Sequence, residues 1–384
     1  MQRNRKIDIL IKGAYGDANV GDDLLLEMTL DLLSHVNRNI DAKIVCKKEK
    51  YIKQQFSNAK FLSLAASRFE SADVYILGGG TQFFSFEKSQ RDISLSSRYQ
   101  LYFNLLLKEP SLLISFLTSK GKKKKDIKLK LALGIGLGPF GTEKDEVNVK
   151  NDLALYDKIY CRDSISLQYL EKWDLKNRQF GADLCLTDLF KNKYPLNHEA
   201  TKEDRLKLGV VLRDWPHNNT GELINSKIFN WLPEQKDFER NLFMFSESKD
   251  DVLIQQVKKR SDLGIRNLII WHPLKYKFVE FYVYLNECDI LITSRYHAAI
   301  FALNLGIPTI CLGIDPKLKA LCDEVSGFYY WNPEEEISVL DKYIQNIKGN
   351  YQQHQENIRN SYKTLNARAN AMVEDVLNVL RNFE

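Results

Sequence analysis

From Lys6 to Ile314 the chain alternates short, almost wholly apolar runs with longer stretches of helical spacing, and this alternation restricts its fold more than any other feature. The runs KIDILIKG (Lys6 to Gly13), KIVCK (Lys43 to Lys47), VYILGGG (Val74 to Gly80), LALGIGLG (Leu131 to Gly138) and KIYCR (Lys158 to Arg162) read as strands. They are apolar on both faces, as parallel strands covered by helices on both sides must be. DDLLLEMTLDLLSHV and SLQYLEKW lie between them with apolar residues at helical spacing. A strand–helix repeat of this kind predicts doubly wound α/β sheets.

The alternation pauses at FKNKYPLNHEATKEDR (Phe190 to Arg205) and restarts with LKLGVVLR (Leu206 to Arg213), NLFMFS (Asn241 to Ser246), IRNLIIWH (Ile265 to His272), DILITSR (Asp289 to Arg295) and PTICLGI (Pro308 to Ile314). The expected organisation is an N-terminal α/β domain over residues 1–190, a linker over 191–205, a C-terminal α/β domain over 206–352 and a terminal helix over 353–384. Two Rossmann-like domains joined this way face each other across a central cleft, where ligands bind at the carboxyl ends of strands.

Charge placement narrows the partners. The net charge of the 384 residues is +5, yet KGKKKKDIKLK (Lys120 to Lys130) alone carries +6. The remainder is close to neutral, so the spread cationic surface of a nucleic-acid binder is absent and no nucleic-acid partner is expected. RYQLYFNLLLKEPSLLISFLTS precedes the lysines. The plain expectation for Leu95 to Lys130 is two helices broken at Pro110 and a solvated loop. The alternative is a peripheral contact with an anionic membrane through Lys122–Lys125. Six dispersed cysteines without a CxxC pair read as reduced thiols. Neither a signal peptide nor an apolar run of ~20 residues is visible, so the expected localisation is cytoplasmic, with peripheral attachment to the inner face of the membrane as the variant.

Three glycine clusters end first-half strands: GAYGDANVGDD (Gly13 to Asp23), GGGT (Gly78 to Thr81) and LGIGLGPF, with Gly134, Gly136 and Gly138. Their spacing matches neither a dinucleotide fingerprint nor a P-loop. Together they suggest a floor of open backbone suited to a sugar, with Asp22 or Asp23 alternatively only capping a helix. In ILITSRYHAAIFALNLGIPTICLGIDPKLK, a strand ends at Ser294, Arg295 and His297 follow at a helix start, and Lys317 lies just beyond the next strand. Arg162 and Arg213 also sit at strand ends. That set suits a small anion bearing carboxylate or phosphate, with arginine as a forked donor and His297 as a proton donor. His217 and His272 follow strands as weaker candidates. No HExxH, paired-histidine or acidic metal pattern and no GxSxG elbow occurs, so no metal is expected.

The order GDANVGDDLLL, GGGT, GIGLGP, RDSIS, VVLR and SRYHAAIFALNLGIPTICLGIDPK resembles the polysaccharide pyruvyl transferase family over about Gly13 to Asp323. The resemblance implies a GT-B-like architecture. It also implies transfer of the pyruvyl group of phosphoenolpyruvate, a co-substrate needing no further cofactor, onto two hydroxyls of a sugar as a cyclic ketal. The acceptor would be a cell-surface polysaccharide or its lipid-linked precursor. Carried onto this sequence, it makes His297 and Arg295 catalytic and gives Lys317, Arg213, Arg162 and Ser294 to the donor. Asn19, Gly21, Asp22, Gly79, Gly80 and Gly136 would face the acceptor. Two positions depart from the pattern: Asp23 stands where glutamate is common, and Leu184 follows Asp183 where proline is frequent. Two rival expectations are a glycosyltransferase of the same architecture using a nucleotide sugar and a non-catalytic glycan-binding protein.

Overall fold

Two parallel sheets, each carrying helices, make up the computed structural model, which describes residues 6–46, 49–57, 59–64, 66–68, 70–85, 127–196 and 205–384. The first contains β1 (Ile7–Lys12), β2 (Ile40–Cys46), β3 (Lys60–Ser63), β4 (Val74–Leu77), β5 (Gly80–Phe83), β6 (Leu129–Leu137), β7 (Lys158–Cys161) and β8 (Arg178–Phe180). Its order is β3-β2-β1-β4-β6-β7-β8, with β5 paired to β6. The helices of this half are α1 (Val20–Ser34), α2 (Glu49–Gln55), α3 (Glu143–Leu153), α4 (Ser164–Lys172) and α5 (Asp188–Lys193).

The second sheet contains β9 (Leu206–Leu212), β10 (Phe238–Met244), β11 (Asn267–Ile270), β12 (Ile290–Thr293), β13 (Thr309–Leu312) and β14 (Phe328–Trp331), in the order β11-β10-β9-β12-β13-β14. Between and after these strands run α6 (Thr220–Trp231), α7 (Asp251–Lys258), α8 (Phe278–Asn286), α9 (Tyr296–Leu305), α10 (Pro316–Glu324), α11 (Ser338–Gly349) and α12 (Tyr351–Arg381). Every residue of β12 and β13 is buried, which accounts for their unbroken apolar text.

In both sheets the strand order reverses beside the first strand, between β1 and β4 and between β9 and β12. Loops diverge at such a point and leave a crevice at the carboxyl ends. In the second sheet, Val210 pairs with Ile292, so Arg213 and Arg295 leave neighbouring strands at that crevice.

The two halves are tied beside it. Val20 N–H donates to Phe245 O at 3.1 Å, and Trp271 Nε1 donates to Asp23 at 3.2 Å. The terminal helix α12 spans both. The Tyr351 hydroxyl reaches Asp289 O at 3.0 Å under the second sheet, and Asp375 accepts from Tyr160 of β7 at 2.6 Å in the first.

Four strands escape the sequence reading. β3, β8 and β14 are edge strands, where one side lacks a partner and the apolar run is short or polar; β5 is a four-residue extension after the glycines. Lys122–Lys125, residues 95–126 of the expected membrane-facing segment and positions 197–204 of the expected linker all lie outside the described residues. Among the described residues, no helix is long and apolar enough to cross a membrane.

Candidate active site

A cavity of about 270 Å³ opens where the carboxyl ends of the two sheets meet. Its wall takes Asn19 and Asp22 from the β1–α1 loop and helix start, Arg162 from the end of β7, Arg213 from β9, Lys249 from the β10 loop, Arg295 and His297 from the start of α9, and Asp315 and Lys317 from the end of β13. Five lysines and arginines thus face three aspartates, Asp17, Asp22 and Asp315, around one small space. The excess of fixed positive charge suits a small anion.

Most of these cations are held by carboxylates behind them. Arg295, 5% exposed, is hydrogen-bonded and ion-paired to the fully buried Asp250. Arg162 lies 3.3 Å from Asp183 and 3.5 Å from Asp163, with its guanidinium 4.1 Å from the centre of the Tyr296 ring. Lys317 pairs with Asp315 at 2.7 Å, while Asp315 also caps α10 by accepting from Lys317 N at 3.1 Å. Burial pushes the Lys317 ammonium below its ordinary range, Asp315 opposes that, and the neighbouring Arg162 and Arg213 reinforce it.

Arg213 differs. Its guanidinium stacks on Trp215 at 4.5 Å, and among the described residues no carboxylate forms an ion pair with it. Burial, and then repulsion from Arg295, push it down to about 9. A cation left this way inside a protein is destabilising until an anion arrives.

His297 sits between two features of the first half. Its Nε2 lies 3.4 Å from the fully buried Asp183, an ion-pair distance that is long for a hydrogen bond. Burial works against ionisation of Asp183, but the charge of His297 and then that of Arg162 outweigh it and hold the carboxyl at about 2. On the other side the ring occupies the space a side chain at Gly21 would need: a Cβ there would come within 2.1 Å of His297 Nδ1. Gly21 therefore seats the histidine, a role different from the acceptor contact expected of it.

A family model described as polysaccharide pyruvyl transferase matches residues 19–316, most of the chain and all of the cavity lining except Ala14, Asp17 and Lys317. The chain belongs to the polysaccharide pyruvyl transferase family. No curated protein matches it by sequence. Among solved structures, this member of the family is similar to a candidate UDP-N-acetylglucosamine 2-epimerase from Listeria monocytogenes, with a TM-score of 0.59 at 12% identity, covering 98% of this chain and 96% of that one. It is also similar to the UDP-GlcNAc 2-epimerase of Neisseria meningitidis bound to UDP-GlcNAc, with a TM-score of 0.55, 11% identity and coverage of 97% and 100%. Sucrose-phosphate synthase from Thermosynechococcus elongatus gives a TM-score of 0.55 at 12% identity, with 98% of each chain covered. At such identities the likeness shows the fold, two Rossmann-like halves in a GT-B-like arrangement.

Of the residues singled out in the sequence of this family member, Asn19, Asp22, Arg162, Arg213, Arg295, His297 and Lys317 line the one cavity, and His217 joins them. Asn19 Nδ2 donates to Asp22 at 2.7 Å, and Lys249 approaches Asp22 at 3.8 Å. Ser294 does not reach the cavity: it is 1% exposed, and its hydroxyl donates to Val211 O at 3.3 Å, tying β12 to β9. Gly79 and Gly80 also lie outside the lining. A Cβ at Gly79 would meet Leu25 at 3.1 Å, and Gly80, at φ +104, approaches Asp22 and Leu25. Gly136 is not in that lining but faces an adjoining recess of about 100 Å³ between the β6 end and α10, which shares Gly138, Pro139, Asp315 and Lys317 with the cavity. His272 stands away from the cavity, 3.5 Å from Glu247. Among the described residues no group of His, Cys, Asp or Glu is arranged to hold a metal.

The sequence reading misses Asp250, which sits in a polar turn without a recognisable pattern, and Trp215, which a WPH context after a strand marks only faintly. Asp183 is visible as part of GADLCL, but nothing local connects it with His297, 114 positions later in the chain.

Proposed function

We propose that the protein transfers the pyruvyl group of phosphoenolpyruvate to two hydroxyls of one sugar in a cell-surface polysaccharide or its lipid-linked precursor. The observation that carries this reading is the Arg213 guanidinium, which among the described residues has no carboxylate ion-pair partner, in a cavity already lined by Arg162, Arg295 and Lys317 beside His297. Phosphoenolpyruvate has the matching chemistry: a carboxylate and a phosphate to engage these cations, and an enol C3 that must gain a proton before C2 becomes electrophilic.

In the proposed sequence, a proton moves from the His297 imidazolium to C3, leaving positive charge on C2 next to the phosphate oxygen. A first sugar hydroxyl adds to C2 and its proton returns to His297. The C2–O bond to phosphate then breaks with its electron pair leaving on phosphate. The second hydroxyl closes the ring on C2, and its proton leaves with the phosphate. The arginines hold the anion and stabilise the departing phosphate, and Asp183 keeps the imidazole oriented as its charge changes.

The test is acceptor-dependent phosphate release from phosphoenolpyruvate across a panel of glycans, with the ketal methyl followed by NMR. Release with a new ketal is expected for the wild-type protein. Absence of release with every acceptor, or a His297→Ala variant of full rate, would contradict the reading.

A further inference from the structure

The 270 Å³ cavity is of a size for phosphoenolpyruvate rather than for the donor and a sugar chain together, so the acceptor needs space that adjoins it. The 100 Å³ recess at Gly136 is smaller still. On the second half, however, a groove of about 710 Å³ runs between α6 and α7 and shares two wall residues, Trp215 and Lys249, with the cationic cavity.

The chemistry of this groove contrasts with that of the cavity. Asn225, Asn230 and Gln256 supply amides, Phe229 and Trp215 supply aromatic rings, and Asp214 and Glu222 supply carboxylates, while Lys249 is paired to Asp17 at 3.4 Å and Arg260 to Asp262 at 2.7 Å. A wall of planar amides, carboxylates and rings whose cations are already paired matches a ligand of many hydroxyls and apolar C–H faces better than it matches an anion. Asn225 adds a second, independent sign. It is 8% exposed; its Nδ2 donates to Arg213 O at 3.1 Å, and its Oδ1 is buried with no hydrogen-bond partner among the described residues. A buried carbonyl oxygen in that state is short of a donor. Trp215 is fixed in place for contact, with Arg213 stacked on it at 4.5 Å and Gly221 beneath, where a Cβ would come within 2.4 Å of Trp215 Cβ.

We infer that the α6–α7 groove binds the non-reacting sugar units of the acceptor, an oligosaccharide whose terminal unit reaches past Trp215 into the cationic cavity. This rests on the pyruvyl-transfer reading for the identity of the reacting end, but the groove's affinity for glycan does not depend on turnover. It also moves part of acceptor recognition from the first half, where the glycine loops suggested it, to the second.

The test uses the full chain, fluorescently labelled, on an array of neutral and acidic mono- to hexasaccharides without phosphoenolpyruvate, alongside thermal shift with phosphoenolpyruvate alone. Wild-type protein should capture oligosaccharides more strongly than the corresponding monosaccharides. The Asn230→Ala/Gln256→Ala double variant and, as a second route, Ser226→Trp, which fills the groove, should each lose at least ten-fold of that capture. Both should keep the stabilisation by phosphoenolpyruvate, showing that they are folded. Capture unchanged within two-fold in either folded variant, or no glycan captured by the wild type, overturns the inference. Wild-type capture lost in variants that still melt cooperatively near the wild-type temperature, with no stabilisation of any form by phosphoenolpyruvate, would uphold the groove and sink the pyruvyl-transfer reading instead.

Discussion

The glycine loops of the N-terminal half and the cationic strand ends of the C-terminal half are alike in sequence, since both place unusual residues just after buried strands. In space they do opposite things. The glycines make room for the protein's own side chains: a Cβ at Gly78 would come within 1.9 Å of the Tyr15 hydroxyl, one at Gly138 within 2.6 Å of Tyr169, and one at Gly21 would collide with His297. The cations leave room for something else, and Arg213 has no carboxylate partner among the described residues. A residue that spares space identifies a packing partner, whereas a buried charge left without a direct ion pair points to a ligand.

Substitutions can break this contrast at several points, beginning with the greatest effect. His297→Ala should lower turnover by about 10²–10⁴-fold with little change in the affinity for phosphoenolpyruvate, the range for loss of a general acid. Full activity would remove His297 from the chemistry. Gly21→Ala comes next: in an ordinary helix it would stabilise by ~1 kcal/mol, but here it should displace His297 and cost roughly 100-fold in kcat, on the scale of a misplaced catalytic group. Circular dichroism and kcat measured together separate the two effects. Arg213→Met should raise the KM for phosphoenolpyruvate roughly 10- to 100-fold, corresponding to one charge-assisted contact, while the ligand-free protein melts at the same or a higher temperature. Gly79→Ala should instead destabilise by about 1–3 kcal/mol through overpacking against Leu25 and leave that KM unchanged.

The smallest effect concerns Asp23, buried between Tyr51, 2.7 Å away, and Trp271 of the other half. Burial raises its carboxyl to about 7, against the lowering effect of those two hydrogen bonds. The native state therefore binds this proton more tightly than the unfolded chain, and the associated stability is lost as pH rises through 7. Denaturant titrations should show about 1 kcal/mol lost between pH 6 and pH 8, and Asp23→Asn should flatten that slope; an unchanged slope would place the titration elsewhere.

Much of the fold is legible because buried parallel strands such as β9, β12 and β13 are written as continuous apolar text. Edge strands such as β8, RQF, are not, because only one side pairs. At the site, Arg295, His297 and Lys317 are legible together since they flank one helix and the next strand. Asp315, the counter-charge of Lys317, lies in the same stretch, but those of His297 and Arg295 are not legible, since Asp183 arrives from the other half and Asp250 from the loop after β10. The glycines mark positions that must lack a side chain. What fills the space beside them, Tyr15, Leu25, Tyr169 and His297, is a matter of tertiary packing that no local pattern carries.

Calorimetric titration of the purified protein with phosphoenolpyruvate tests the central claim most directly, with a UDP-sugar titrated in parallel. Saturable binding of one phosphoenolpyruvate per chain is expected, weakened at least ten-fold by Arg213→Met, with no binding of the UDP-sugar. Binding of the UDP-sugar alone, or phosphoenolpyruvate affinity indifferent to Arg213, would contradict the assignment of the cationic cavity to the pyruvyl donor.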